Sequence, residues 1–151
     1  MRKSEQAWVG VDVGSVRVGV AVAEDGTFAV PHATMPADDA PAGIVALLES
    51  LGVTNVVVGW PLELSGREGF AVRRVQLFID RLEKEAAGRE LVLNLKLRDE
   101  RLTTGLADRL LDDAGVRGKK RKGVVDQVAA TQILQAFLDE LRFHGPQEEE
   151  D

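Results

Sequence analysis

The run from Trp8 to Ala23 limits the fold more than any other part of the sequence. WVGVDV (Trp8–Val13) and VRVGVAVA (Val16–Ala23) are two β-rich apolar stretches separated by Gly14-Ser15 alone. A two-residue gap of this kind leaves room only for a tight turn, so the stretches must pair as an antiparallel hairpin. Asp25-Gly26 is a second hairpin signal, and it leads into a third run, TFAVPHATM. The chain therefore opens as a three-strand meander.

After the turn-rich link Pro36–Pro41 the pattern changes. GIVALLESLG has helical spacing and stops at Gly52, a good C-terminal cap. NVVVG (Asn55–Gly59) is a short β-branched run suited to a strand buried on both faces. A loop from Trp60 to Arg67 leads to a second helix, around Gly69–Ala87. Leu91, Leu93, Leu95 and Leu97 alternate with Val92, Asn94, Lys96 and Arg98, the period of a strand. Thr103 or Thr104 caps a third helix that ends at Gly115; a basic loop and a last helix, about Val124 to Arg142, follow. The order βββαβαβαα predicts an α/β fold, a five-stranded mixed sheet flanked by helices. With 151 residues, one domain is expected over residues 1–144, followed by a disordered acidic tail at 145–151.

Several function classes drop out early. There is no cysteine, so disulfides, thiolate metal sites and cysteine catalysis are excluded. His32 and His144 are the two histidines, too few for a His-rich zinc site. Asp12 and Arg17 interrupt the most hydrophobic stretch, and no apolar run approaches the ~20 residues of a membrane span. MRKSEQAWVG contains no apolar signal core, so a cytoplasmic protein without membrane partners is expected. The net charge of −6 conceals a division along the chain. Residues 1–66 hold 3 basic and 8 acidic side chains, a net of −5. Residues 67–144 hold 16 basic and 13 acidic, a net of +3, and the tail carries 4 acidic and none basic. The second half is the basic half.

Three acids stand in unusual places. Asp12 is the one charged residue from Gln6 through Val16, inside a central strand. A buried carboxylate needs a metal ion, a cation or backbone donors. The alternative is that it bonds into the Gly14-Ser15 turn or pairs with Arg17. Glu100, with its neighbour Asp99, ends the leucine strand, where α/β sheets usually build their sites. The alternative is a solvated acidic pair beside Arg98 and Arg101. Asp126 shares a helical face with Ala129, Ala130, Ile133 and Phe137, so it faces the sheet. Here the alternative is an acid in a first helical turn offsetting the macrodipole.

Carboxylates from a first strand, a strand end and a final helix suit a hard divalent cation such as Mg²⁺ or Mn²⁺. Two such ions about 4 Å apart promote phosphodiester cleavage. Arg117, Lys119, Lys120, Arg121 and Lys122 put five cations in six residues just before Asp126. They fit a phosphate backbone, with Arg17 a lesser candidate and Arg73 and Arg74 extending the surface. As a solvated loop they would instead complement the preceding helix terminus. Aromatic residues make up 5% of the chain, so the sequence shows no stacking platform for single strands. Gly10, Gly14 and Gly19 do not have G-x-G-x-x-G spacing. The stretch Asp12–Gly19 does look like the first phosphate-loop hairpin of actin, Hsp70 and sugar-kinase ATPases, which makes an ATPase relative one rival. A nucleic-acid or ribosome-associated binding protein without catalysis is the other.

Four blocks carry a resemblance to a known family. They are Gly10–Ala21, Val58-Gly59-Trp60-Pro61-Leu62 through Gly66, Asp99-Glu100-Arg101-Leu102-Thr103-Thr104, and Lys122 through Asp126-Gln127-Val128-Ala129-Ala130 to Gln135. Together, in this order, they resemble the YqgF/RuvX family of pre-16S rRNA nucleases and Holliday-junction-resolvase-like proteins. The resemblance implies an RNase H-like fold and a nuclease acting on RNA and/or DNA. It matches Asp12, Glu100 and Asp126 to the family's metal-binding acids, with Asp99 in the same motif assisting. Trp60 stands where the family generally has an aliphatic residue, and Glu63-Leu64-Ser65 replaces a more Asn/Asp-like stretch. A two-fold junction substrate would call for a homodimer, although the sequence shows no dimer stripe.

Overall fold

Both expected hairpins form with shifted turns: Gly14 faces Arg17 across the first, leaving Ser15 and Val16 at its tip, and the second connection, which holds Asp25-Gly26, runs from Glu24 to Ala29. In the computed structural model, which describes residues 6–61, 69–100 and 118–149, the Gly14 amide donates to the Arg17 carbonyl at 2.9 Å. The Thr27 amide donates to Asp25 Oδ1 at 2.9 Å while Gly26 takes a φ of 74°. Strands β1 (Trp8–Val13), β2 (Arg17–Ala23) and β3 (Val30–Pro36) form the meander. Helix α1 (Ala40–Leu51) then crosses to β4 (Asn55–Pro61), and α2 (Gly69–Gly88) crosses to β5 (Asn94–Glu100). The last helix, α3, spans Gly118–Glu149. The sheet order is β3-β2-β1-β4-β5, with β1, β4 and β5 mutually parallel. This is the expected five-stranded mixed sheet.

The two faces of the sheet are built from residues of different size. Val9, Val11, Val18, Val20, Val22, Val56 and Val58 pack against α1 and α2, among Ile44, Val45, Leu48, Phe78 and Leu82. The other face carries Gly10, Gly19, Ala21, Ala23 and Val57, and α3 lies on it through Ala130, Ile133, Leu134 and Phe137. Only small residues let a helix backbone come this close to a strand. A Cβ on Gly10 would stand 2.6 Å from the Leu134 Cβ. The Trp8 and Phe137 rings close the far end at a centroid separation of 4.6 Å. Contacts that run from Gly19 and Asp126, through Gly10 and Leu134, to Trp8 and Phe137 make α3 antiparallel to β1.

Other element ends also differ from the sequence reading. Proline at its first turn lets α1 begin at Ala40, and β4 continues two residues further, to Pro61. Strand β5 starts at Asn94 rather than Leu91, because the end of α2 holds Leu91. Its amide donates to the Ala86 carbonyl at 2.9 Å, after Glu90 turns at a φ of 61°. Helix α3 begins at Gly118 rather than Val124, so Lys119 to Lys122 are helical and not a loop. Lysine and arginine are good helix formers. At its other end α3 runs to Glu149, so backbone conformation marks no boundary at residue 144. The expected helix between Thr103 and Gly115, and Arg117, lie outside the described residues. Among the described residues no helix is long and apolar enough to cross a membrane.

Candidate active site

Asp12 sits on β1 directly opposite Gly19 on β2. The pleat that turns Val9 and Val11 toward α1 and α2 gives Asp12 the other face, the one it shares with Trp8 and Gly10. Above that spot is Asp126. Its carbonyl oxygen would be 1.9 Å from a Cβ built on Gly19, so any side chain at position 19 would displace the helix. Glycine at 19 and the pair Ala129-Ala130 on α3 thus serve the same end, a close crossing that brings a helix acid over a strand acid. The sheet-facing position expected for Asp126 is the one it occupies. The macrodipole alternative loses its basis, because Asp126 is the ninth residue of α3 and that effect fades within the first turn.

The Arg17 Nε donates to Asp126 Oδ2 at 3.1 Å. Burial pushes the Asp126 carboxyl above the usual aspartate range, and the hydrogen bond and charge of Arg17 pull it back only in part. A half-buried carboxylate in this condition favours a second positive charge. That is the electrostatic requirement of a divalent-cation ligand, and with Asp12 on the same face the donor set is all oxygen, as Mg²⁺ or Mn²⁺ demands. The residues therefore fit such an ion.

The third acid comes from the neighbouring strand. Glu100 closes β5 in register with Pro61 of β4. Arg98, two residues earlier, reaches Glu140 of α3 at 3.3 Å, so strand alternation gives position 100 the α3 face as well. Asp99 is exposed, and the same alternation gives it the opposite face, with Leu95 and Leu97. The structure thus brings Asp12 and Asp126 together, places position 100 on their side of the sheet, and does not bring Asp99 to them. Among the described residues no group of three acids or histidines is arranged to hold a metal ion; the Glu100 side chain lies outside those residues.

All three acidic positions lie toward the C-terminal ends of the parallel strands β1 and β5 and the first third of α3, the edge where such sheets carry their sites. Positions 119–122 occupy the first turns of α3, upstream of Asp126 on the same rod. Two features were not read from the sequence. One is the pairing of Arg17 with Asp126, for which the sequence holds no signal. The other is the purpose of Gly10 and Gly19, which make room for α3. Glycines inside β-rich runs, opposite a helix with an Ala-Ala pair, are the signal that pointed there.

Residues 6–140 match the RuvX family, described as Holliday junction resolvases. A Salinibacter ruber protein named "Putative pre-16S rRNA nuclease" is 42% identical over 139 residues, 90% of this chain and 94% of its own. A protein of the same name from Chloroflexus aggregans is 40% identical over 92% of this chain and 97% of its own. The structure of Thermus thermophilus RuvC superposes with a TM-score of 0.53 at 12% identity, over 89% of this chain and 96% of that one. Likeness at that level of identity speaks for the fold alone, the RNase H-like fold. With 135 of its 151 residues inside the family match, and with close relatives spanned nearly end to end, the chain belongs to the RuvX family.

Proposed function

We propose that the protein is a divalent-metal-dependent nuclease that hydrolyses phosphodiester bonds of nucleic acid in the cytoplasm. Its task would be 5′-end maturation of pre-16S rRNA, processing of branched DNA, or both. The observation that carries the reading is the crossing at Gly19, which sets Asp126 of α3 over the strand acid Asp12. Family membership supports it: relatives at about 40% identity bear a nuclease name, and the family is described as junction resolvases.

In this mechanism Asp12, Glu100 and Asp126 would hold Mg²⁺ or Mn²⁺, while Asp99, exposed on the other face of the strand, would stay out of the metal's reach. A bound divalent ion supplies Lewis-acid polarisation of the phosphate and lowers the pKa of an attacking water. The protein's own groups do the remainder. Asp126 is kept partly neutralised by Arg17 until a cation arrives, which limits repulsion between the acids. Arg117, Lys119, Lys120, Arg121 and Lys122 hold the phosphate backbone, with Arg17 a further contact. Cations in the first turns of a helix oppose its macrodipole, so an anionic partner there relieves an unfavourable arrangement.

Cleavage of labelled single-stranded RNA, single-stranded DNA and a four-way DNA junction tests the reading, in wild type and Asp12→Asn, with Mg²⁺, Mn²⁺ or EDTA. Metal-dependent cutting that the mutant lacks supports it, and the preferred substrate separates rRNA maturation from junction processing. Oligomeric state, read on the junction, shows whether a homodimer acts. Intact binding with no cutting of any substrate would instead favour a binding protein.

A further inference from the structure

The sheet has a second feature at the same edge, on the face away from Asp126. A cleft of about 330 Å³ opens between the β1–β2 turn and α2, with Ser15 and Asp38 on one wall and Phe70, Arg73, Arg74, Leu77 and Arg81 on the other. The α2 residues fall at i, i+3, i+4, i+7 and i+11, a single stripe of the helix. Phe70 is 89% exposed and Leu77 52% exposed, so neither serves the core. Arg73 and Arg74 are exposed and pair with no carboxylate among the described residues. Arg81 approaches Asp38 only at 3.9 Å, between two well-solvated side chains.

A solvated helix face would normally balance its cations with acids and keep large apolar groups out of water. This stripe instead interleaves guanidinium groups with one aromatic ring, the combination that grips a flexible polyanion with planar bases. From position 70 to position 81 the stripe runs ~16 Å, room for a few nucleotides of a single strand. It begins beside Val13, Gly14 and Ser15, the residues that directly follow Asp12.

Resting on the nuclease reading above, we propose that this cleft is a second nucleic-acid contact. It holds a single-stranded segment next to the bond positioned at Asp12, with a base stacked on Phe70 and phosphates on Arg73 and Arg74. Substrate would then cross the sheet edge, gripped by the first turns of α3 on one face and by α2 on the other. The low aromatic content argues against an extended stacking platform but leaves room for a single stacking position.

The test is equilibrium binding of a fluorescent single strand to Asp12→Asn protein, which keeps the strand intact, over a range of salt concentrations. Phe70→Ala and the pair Arg73→Ser/Arg74→Ser are added to that background, and a matched strand carrying abasic sites is compared. Phe70→Ala should weaken the intact strand about tenfold and the abasic strand hardly at all. The arginine pair should lower the slope of log affinity against log salt by about 1.4, roughly 0.7 per lost contact. An unchanged slope, or equal effects of Phe70→Ala on both strands, would overturn the proposal while leaving the nuclease reading in place. Failure of the Asp12→Asn protein to bind any strand would overturn both. All three positions are exposed, so helical content by circular dichroism should not change.

Discussion

The backbone of Asp126 and the α-carbon of Gly19 are in near contact, close enough that a methyl group on Gly19 would fall 1.9 Å from the Asp126 carbonyl oxygen. Gly19→Ala should therefore shift α3 away from the sheet. Overpacking of this kind costs about 1–3 kcal/mol or more, a fall in Tm of roughly 3–10 °C for a chain of this size. Thermal unfolding measures it. A variant as stable as wild type would mean that the helix does not cross where described.

Divalent ions should stabilise the folded protein, because a ligand that binds only the folded state raises stability with concentration. Mg²⁺ or Mn²⁺ should raise Tm for wild type, and Asp12→Asn and Asp126→Asn should each remove most of that rise. The same variants should lose at least about a hundredfold in cleavage rate. Equal metal-induced shifts in all three proteins would remove these two acids from the metal site.

In metal-free buffer the Asp126 carboxyl should titrate above the ordinary aspartate range, since burial outweighs the help it receives from Arg17. An acid whose pKa is raised by folding favours the fold below its unfolded-state pKa, and that contribution is lost as pH rises through the folded-state value. Arg17→Gln removes a group that pulls the value down, so it should move the titration higher still. Carbon-detected NMR of the side-chain carboxyls reads both. A downward shift in Arg17→Gln would contradict the ion pair.

Neutralising Lys119, Lys120, Arg121 and Lys122 as glutamines should weaken binding of RNA and DNA alike. Each lost phosphate contact should flatten the salt slope by about 0.7 on single strands and about 0.9 on duplex. Glutamine is also a good helix former, so α3 should survive. A salt slope equal to wild type would take the start of α3 out of the interface.

Much of the fold was legible because the signals are local. The two-residue Gly14-Ser15 gap and Asp25-Gly26 impose a meander, and the Asn55–Gly59 run reads as a doubly buried strand that becomes β4. Where the sequence reading erred, the adjoining helix decided. Leu91 continues the leucine alternation, yet the end of α2 captures its amide, and so β5 begins later. Lys119 to Lys122 look like a loop by charge, whereas their propensity and continuity with the apolar part of α3 make them helical. For the site, the inward direction of Asp126 followed from helical periodicity. The partner of Arg17 did not, since two residues 109 positions apart leave no mark on one another in a single sequence.

The contrast between a valine face and a glycine-alanine face also bears on how the site can vary. A helix resting on side chains can slip or roll as those side chains change, whereas α3 rests on bare backbone at Gly10 and Gly19 and has nowhere to go. Sliding it by one turn, ~5.4 Å, would carry the acid past its strand partner. The cations at positions 119–122 and the acid at 126 ride on one stiff rod fixed at those two points. On the proposed function, grip and cutting position would be indexed to each other by packing.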